Sequence, residues 1–248
     1  MCNIIIKRWV GQSGNNLLSI LFAIELAKRN NYHSLNIIKH PLFSLKKKVI
    51  NTDCCKCKKI ISDYESFFYK FRNLEPSYLK KLYNEYVSLN LSCKKEISEV
   101  TFHIRGGVIM KGHGHSLYTQ PPLIYYEKYI EKYKDKKIII VYEDNNNPVI
   151  DILKKKYPQI NFQSKSMKED LITLSSSKIM IGSTSTFWIL AFIISDCTEK
   201  VIFPDYISWI SLEDWGVESE KISFPGYIKA GEWQNRPGQR KLMLEYKY

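Results

Sequence analysis

Apolar positions fall into short β-branched runs separated by stretches of helical periodicity, and this alternation recurs along the chain. Asn3–Ile6 is the first such run. It leads into Gly11-Gln12-Ser13-Gly14-Asn15-Asn16, after which Leu17, Leu18, Leu21, Ile24 and Leu26 recur at helical spacing as far as Arg29. Strand, glycine-rich turn and helix open an α/β unit, and residues 35–38 lie where the next parallel strand belongs. Residues 54–91 are rich in Tyr, Phe and Lys, which predicts helices covering a sheet, with Pro76 opening one of them.

The polar, unpatterned stretch 92–99 is the best-placed junction, dividing the chain into an N-terminal lobe, 1–98, and a C-terminal lobe, 99–248. Beyond it the alternation restarts, with strands expected at 100–104, 138–142, 179–181 and 201–203. Asn147 is placed to cap a helix with Pro148 at its first position and Val149, Ile152 and Leu153 on the buried face. Ser166 and Glu169 have capping-box spacing ahead of Leu171 and Leu174. The expected fold class is α/β, built as two Rossmann-like lobes.

Composition bounds the partners. With 44% hydrophobic and 25% charged residues in 248, the chain is neither disordered nor fibrous. The longest uncharged apolar stretch, 187–194, is less than half of a bilayer-spanning helix, and the N-terminus shows no signal-peptide pattern. The expected compartment is the cytoplasm, with contact at a membrane surface left open. The net charge of +12 favours anionic partners. Lysines cluster briefly, at 46–48 and 154–156, without an interleaved basic and aromatic stripe, so nucleic acid is not expected. A nucleoside diphosphate fits the charge equally well. Six cysteines without an export signal predict reduced thiols, and Cys54-Cys55-Lys56-Cys57 lacks zinc-ribbon spacing, so no metal is expected.

Four segments carry candidate chemistry. Phe102-His103-Ile104-Arg105-Gly106-Gly107 ends a strand, where an Arg offers a planar fork to phosphate oxygens and glycines let the backbone approach an anion. A salt bridge in a tight turn is the alternative, and His103 alternates into the sheet interior. Gly182-Ser183-Thr184-Ser185-Thr186 precedes an apolar helix, whose N-terminus suits a phosphate, while capping by Ser183 or Thr184 requires no ligand. Glu143 and Asp144 follow a strand and can accept from ribose, base or sugar hydroxyls, hold a divalent metal, or simply face solvent. His113 and His115 lie on a Gly-rich loop, either as idle surface residues or as a base for an acceptor hydroxyl. The Gly11–Asn16 segment lacks the Lys of a P-loop, which disfavours ATP hydrolysis.

Taken in order, the Gly11–Asn16 turn, His103-Ile104-Arg105-Gly106-Gly107, Tyr142-Glu143-Asp144 and Glu169-Asp170-Leu171 through Ser183-Thr184-Ser185-Thr186-Phe187 resemble fucosyltransferase-like glycosyltransferases. The resemblance spans nearly the whole chain. It extends to small sugar transferases with a Gln-Pro-Pro-Leu segment after the Arg motif, here Gln120-Pro121-Pro122-Leu123, and to Gln239-Arg240-Lys241-Leu242-Met243-Leu244. It implies a GT-B-like architecture and inverting, metal-independent transfer from a nucleoside-diphosphate sugar, GDP-linked and fucosyl by analogy, to a glycan hydroxyl. No cofactor beyond that co-substrate is implied. Arg105 would bind the diphosphate and stabilise the leaving group. His103 and Ser183, Thr184, Ser185 and Thr186 would lie on the donor side, Asp170 or Glu143 and Asp144 would contact the nucleoside, and Gly14 and Asn15 would face the donor from the first lobe. Many relatives carry an acid shortly after the Arg, where this chain has Val108. His113, His115 and Glu143 are then the candidate bases. The alternatives are a non-catalytic binder of sugar nucleotide or glycan, and a metal-dependent transferase using Glu143 and Asp144.

Overall fold

The computed structural model describes residues 3–9, 13–51, 59–62, 73–90, 97–111, 116–207 and 210–247. The chain divides into two compact units, Met1–Cys93 with Trp209–Gly216, and Lys94–Ser208 with Val217–Tyr248. This division differs from the boundary read at residue 98 for two physical reasons. Ser98 is already a strand residue paired with Ser177. The 209–216 segment is tied to the first unit, with Ser211 Oγ donating to Glu75 Oε1 and Ser77 Oγ to Asp214 Oδ2, each at 2.6 Å.

In the first unit β1 (Asn3–Ile6), α1 (Ser13–Arg29) and β2 (Ser34–Ile37) make the expected βαβ opening. α1 begins at Ser13, so Gly14, Asn15 and Asn16 belong to its first turn and not to the preceding loop. β3 (Phe43–Leu45), β4 (Lys59–Ser62), α2 (Pro76–Tyr86) and β5 (Val87–Leu89) follow. β1 lies between β2 and β4 in a parallel sheet, and β3 pairs antiparallel with β5. The expectation of helices throughout 54–91 is therefore corrected at two strands. Pro76 does open α2 at its first position.

The second unit contains β6 (Ser98–Ile104), α3 (Leu123–Lys132), β7 (Ile138–Tyr142), α4 (Val149–Lys156), β8 (Asn161–Gln163), α5 (Met167–Ser175), β9 (Ser177–Ile181), α6 (Thr186–Ile194), β10 (Lys200–Pro204), β11 (Glu218–Ile222) and α7 (Pro237–Glu245). Its six strands are all parallel, in the order β11-β10-β9-β6-β7-β8. Counted within the unit this is 3-2-1-4-5-6, the doubly wound Rossmann order. With right-handed crossovers, α3 and α4 cover one face and α6 the other. β7, Ile-Ile-Ile-Val-Tyr, is buried at its first four residues, as a central parallel strand requires. α6 is apolar from Phe187 onward and buried from Trp188 to Ile194. Tyr125 of α3 is fully buried and donates through its hydroxyl to Gly182 O at 2.9 Å. Among the described residues no helix is long and apolar enough to cross a membrane.

Candidate functional site

Winding reverses between β6 and β9, which are hydrogen-bonded neighbours whose connections run to opposite edges. Such a reversal opens a crevice at the carboxyl ends of the two strands, where doubly wound sheets take their ligands. Arg105 is the residue immediately after β6, the hydroxyl run 183–186 follows β9, and Glu143 and Asp144 follow β7 on the other flank. Three of the predicted segments are thus brought together by topology.

Arg105 Nη1 lies 2.7 Å from Glu143 Oε2, with the two side chains 12% and 28% exposed. This ion pair aims the guanidinium along the β6 and β7 ends. Asp144 has a different task. Its carboxylate accepts from the Gly107 N–H at 3.1 and 3.2 Å and from the Asn146 N–H at 2.9 Å, and the Asn146 amide donates to it as well. Asp144 therefore clamps the turn after Arg105. Glycine is required there twice: a side chain at Gly106 would run into the Asp144 carboxylate, and at Gly107, where φ is +65°, a Cβ would lie 2.5 Å from Glu143 Oε1. Each carboxylate has its own partner, and among the described residues no cluster of three His, Cys, Asp or Glu is arranged to hold a metal.

The hydroxyl run is bonded inward. Ser183, Thr184 and Ser185 are all at most 2% exposed, and Thr186 is buried. Ser183 Oγ is 2.9 Å from His103 Nδ1, Thr184 Oγ1 donates to Thr119 O at 2.5 Å, and Ser185 caps α6 by accepting from the Phe187 N–H at 3.2 Å. Capping thus falls to Ser185, one residue beyond the expected Thr184, because Thr184 faces the 119–120 segment. What remains at the crevice is the positive end of α6.

Three residues outside the predicted site residues support the turn. Asn147 is 1% exposed, and while its Oδ1 caps α4 through the Val149 N–H at 3.2 Å, its Nδ2 donates to Arg105 O at 2.9 Å. One amide thus joins the helix start to the Arg turn. Gln120, fully buried, donates to Tyr118 O at 2.9 Å and Thr184 O at 3.3 Å, bracing the two loops. Tyr118 is close enough to feel the Arg105 charge, although burial still raises its hydroxyl pKa. The signal for Gln120 was its place in the Gln-Pro-Pro-Leu segment; Tyr118 carried none.

The other predicted residues lie elsewhere. Asp170 sits in the first turn of α5, 7% exposed, accepting from Gln163 Nε2 at 2.8 Å and from the Lys165 N–H at 3.2 Å. Burial raises its pKa and these bonds oppose the rise. It closes the β8–α5 turn at the sheet edge, two strands from β6. Gly14 and Asn15 belong to the first unit, where Gly14 is buried and the Asn15 carbonyl accepts from Ser19 Oγ at 2.9 Å. His113, His115, Gly11 and the cysteines 54, 55, 57 and 93 lie outside the described residues.

His103 is a core imidazole. It is 3% exposed, and burial, with the Arg105 charge second, presses its pKa down from 6.5 to about 3. The unfolded chain takes up this proton below 6.5 and the folded chain does not, so stability falls as pH drops from 6.5 towards 3. The slope from this group approaches ~1.4 kcal/mol per pH unit. In urea titrations between pH 6.5 and 5, His103→Asn is expected to show a shallower loss of stability than the parent chain; parallel profiles contradict the assignment.

No family profile matches the chain, and no curated protein sequence matches it. Solved structures do. The α-1,6-fucosyltransferase NodZ, in a crystal soaked with GDP-fucose, aligns with a TM-score of 0.52 at 13% identity over 83% of this chain and 96% of its own. POFUT1 in complex with GDP aligns at 0.46 and 12% identity, over 82% and 98% of the two chains. The E. coli heptosyltransferase WaaC with ADP aligns at 0.43 and 8% identity, over 98% and 97%. At these identities the likeness is one of fold: the chain is similar to NodZ in its α/β architecture of Rossmann-like units, the GT-B type.

Proposed function

We propose that the protein is an inverting glycosyltransferase that moves a sugar from a nucleoside diphosphate to a glycan hydroxyl, with GDP-fucose the favoured donor. The supporting observation is Arg105 at the switch point of a doubly wound sheet, held by Glu143 and by Asn147 beside the N-terminus of α6. During transfer the bond from the anomeric carbon to the diphosphate oxygen breaks while the acceptor oxygen attacks the opposite face. Negative charge grows on the departing diphosphate. A preformed guanidinium and helix terminus stabilise that charge without reorganising, which lowers the barrier. The acceptor proton passes to a base, for which His113 and His115 are proposed; Glu143 acts first as the group that orients Arg105. No metal is needed in this scheme, because Arg105 supplies the charge a cation would.

Val108 favours a second reading. It is 72% exposed in the turn after Arg105, where many of the glycosyltransferases the sequence resembles carry an acid, and a chain lacking that acid fits a binder of sugar nucleotide or glycan without turnover. Thermal melts with GDP, UDP, CDP, ADP and their sugar conjugates, with and without chelator, test the proposal. At a ligand concentration ~100 times Kd, stabilisation of ~2.7 kcal/mol is expected. That raises the midpoint by roughly 5–10 °C for a chain of this size. A chelator-insensitive response to one nucleoside diphosphate is the expected result, and no response to any of them rejects the transferase and the sugar-nucleotide binder, leaving a glycan binder. Release of free sugar or transfer to an acceptor then separates enzyme from binder.

A further inference from the structure

The first unit contains a cavity of about 270 Å³ whose lining shares no residue with the Arg105 crevice. It lies beyond the C-terminal end of β2, over β3 and the residue after β5. Its walls combine three chemistries. Ile38, Phe43 and Leu45 give an apolar face, Ser44 and Asn90 give hydrogen-bonding groups, and Lys39 and Lys48 give charge, with no carboxylate in the lining.

The lysines are singled out by their neighbours. Lys46 donates to Asn84 O at 2.7 Å, and Lys47 pairs with Glu85 at 2.9 Å while lying 4.3 Å above the Tyr86 ring, so both are tethered to α2. Lys39 and Lys48 have no ion-pair partner among the described residues. His40, which also lines the cavity, adds no charge. Its Nδ1 accepts from the N–H groups of Leu42 at 3.1 Å and Phe43 at 3.3 Å, which places the ring proton on Nε2. Burial lowers its pKa, so the ring is a fixed neutral support.

We infer that this cavity binds one sugar unit bearing an anionic group, a phosphate or a carboxylate. Its volume is below the ~300–1,000 Å³ typical of sites for larger ligands, which suits a single pyranose better than a whole nucleoside-diphosphate sugar. The apolar face fits the C–H side of the ring and the two ammonium groups meet the anion. Ser44 Oγ is engaged by Asn90 Oδ1 and Ser88 Oγ, each at 2.8 Å, which leaves the Asn90 amide nitrogen to face the sugar hydroxyls. The sugar part of this inference rests on the glycosyltransferase reading, while the anion part rests on the cavity alone.

Calorimetric titration of the full chain with glucose 6-phosphate, glucuronate, glucose and inorganic phosphate tests it. Glucose 6-phosphate or glucuronate is expected to bind at least about tenfold more tightly than glucose, a difference of ~1.4 kcal/mol. The Lys39→Gln/Lys48→Gln variant should lose that margin yet keep its thermal response to GDP, and Arg105→Ala should retain the anionic-sugar binding. Unchanged binding in the double-lysine variant, or loss of binding in Arg105→Ala, overturns the site. Inorganic phosphate binding as tightly as glucose 6-phosphate overturns the sugar. Anionic-sugar binding that persists where no nucleotide binds would remove the donor reading and leave this cavity standing.

Discussion

Arg105→Ala is expected to remove the thermal response to the donor nucleotide and to lower kcat/KM by about 10²–10³-fold or more, as loss of a preorganised transition-state donor does. The guanidinium is 12% exposed, so its charge acts with little screening by water. Folding should suffer far less. The partner left behind, Glu143, is 28% exposed and can rehydrate. Loss of the pair then costs up to about 1 kcal/mol, or ~2–4 °C in midpoint. Arg105→Lys keeps the charge but not the planar fork and should fall between the two. A variant that folds, binds GDP and turns over like the parent would remove Arg105 from the mechanism. One that binds GDP normally but fails only in turnover would shift the diphosphate contact to the α6 terminus.

Elements whose signals are local were legible in the sequence. β7 runs over the expected five residues, Ile138–Tyr142, because a β-branched run buried on both faces has no competing conformation. The Ser166 and Glu169 capping box also forms, since four consecutive residues contain the whole interaction. β3, β4, β5, β8 and β11 were not read. β8 is Asn-Phe-Gln and β11 is Glu-Ser-Glu-Lys-Ile, both at sheet edges, where pairing with a neighbour and not hydrophobic pattern decides the structure. The same division applies to the site. That Arg105 and Glu143 follow strands could be read from the chain; that these strands are adjacent could not. Asn147 was legible as a cap, whereas its second bond, to Arg105 O, exists only because β6 and β7 are neighbours. The inward bonding of Ser183 and Thr184 depends on His103 and Thr119, more than sixty residues away along the chain.

Gly182→Ala should unfold the crevice from within. Gly182 is buried at the end of β9, its N–H donating to Ile202 O at 2.8 Å and its carbonyl accepting from Tyr125. A methyl group added there would press on Trp188 Cε2 and lie 2.7 Å from its Nε1, deep inside van der Waals contact with the indole. That indole cannot swing aside cheaply: it is fully buried, stacks on Phe203 with centroids 6.0 Å apart, and donates from Nε1 to Ser183 O at 2.7 Å. Moving it breaks the bond that sets the first residue of the hydroxyl run. Overpacking at so rigid a site is expected to cost about 3 kcal/mol. For a chain of this length that is a midpoint lower by roughly 6–12 °C. Because Ser183 also meets His103, the damage should extend across β6 and weaken the nucleotide response together with stability. Trp188→Phe in the Gly182→Ala background relieves the clash and should recover part of the midpoint. If Gly182→Ala melts within ~2 °C of the parent, the close approach of β9 to α6 at the switch point is wrong.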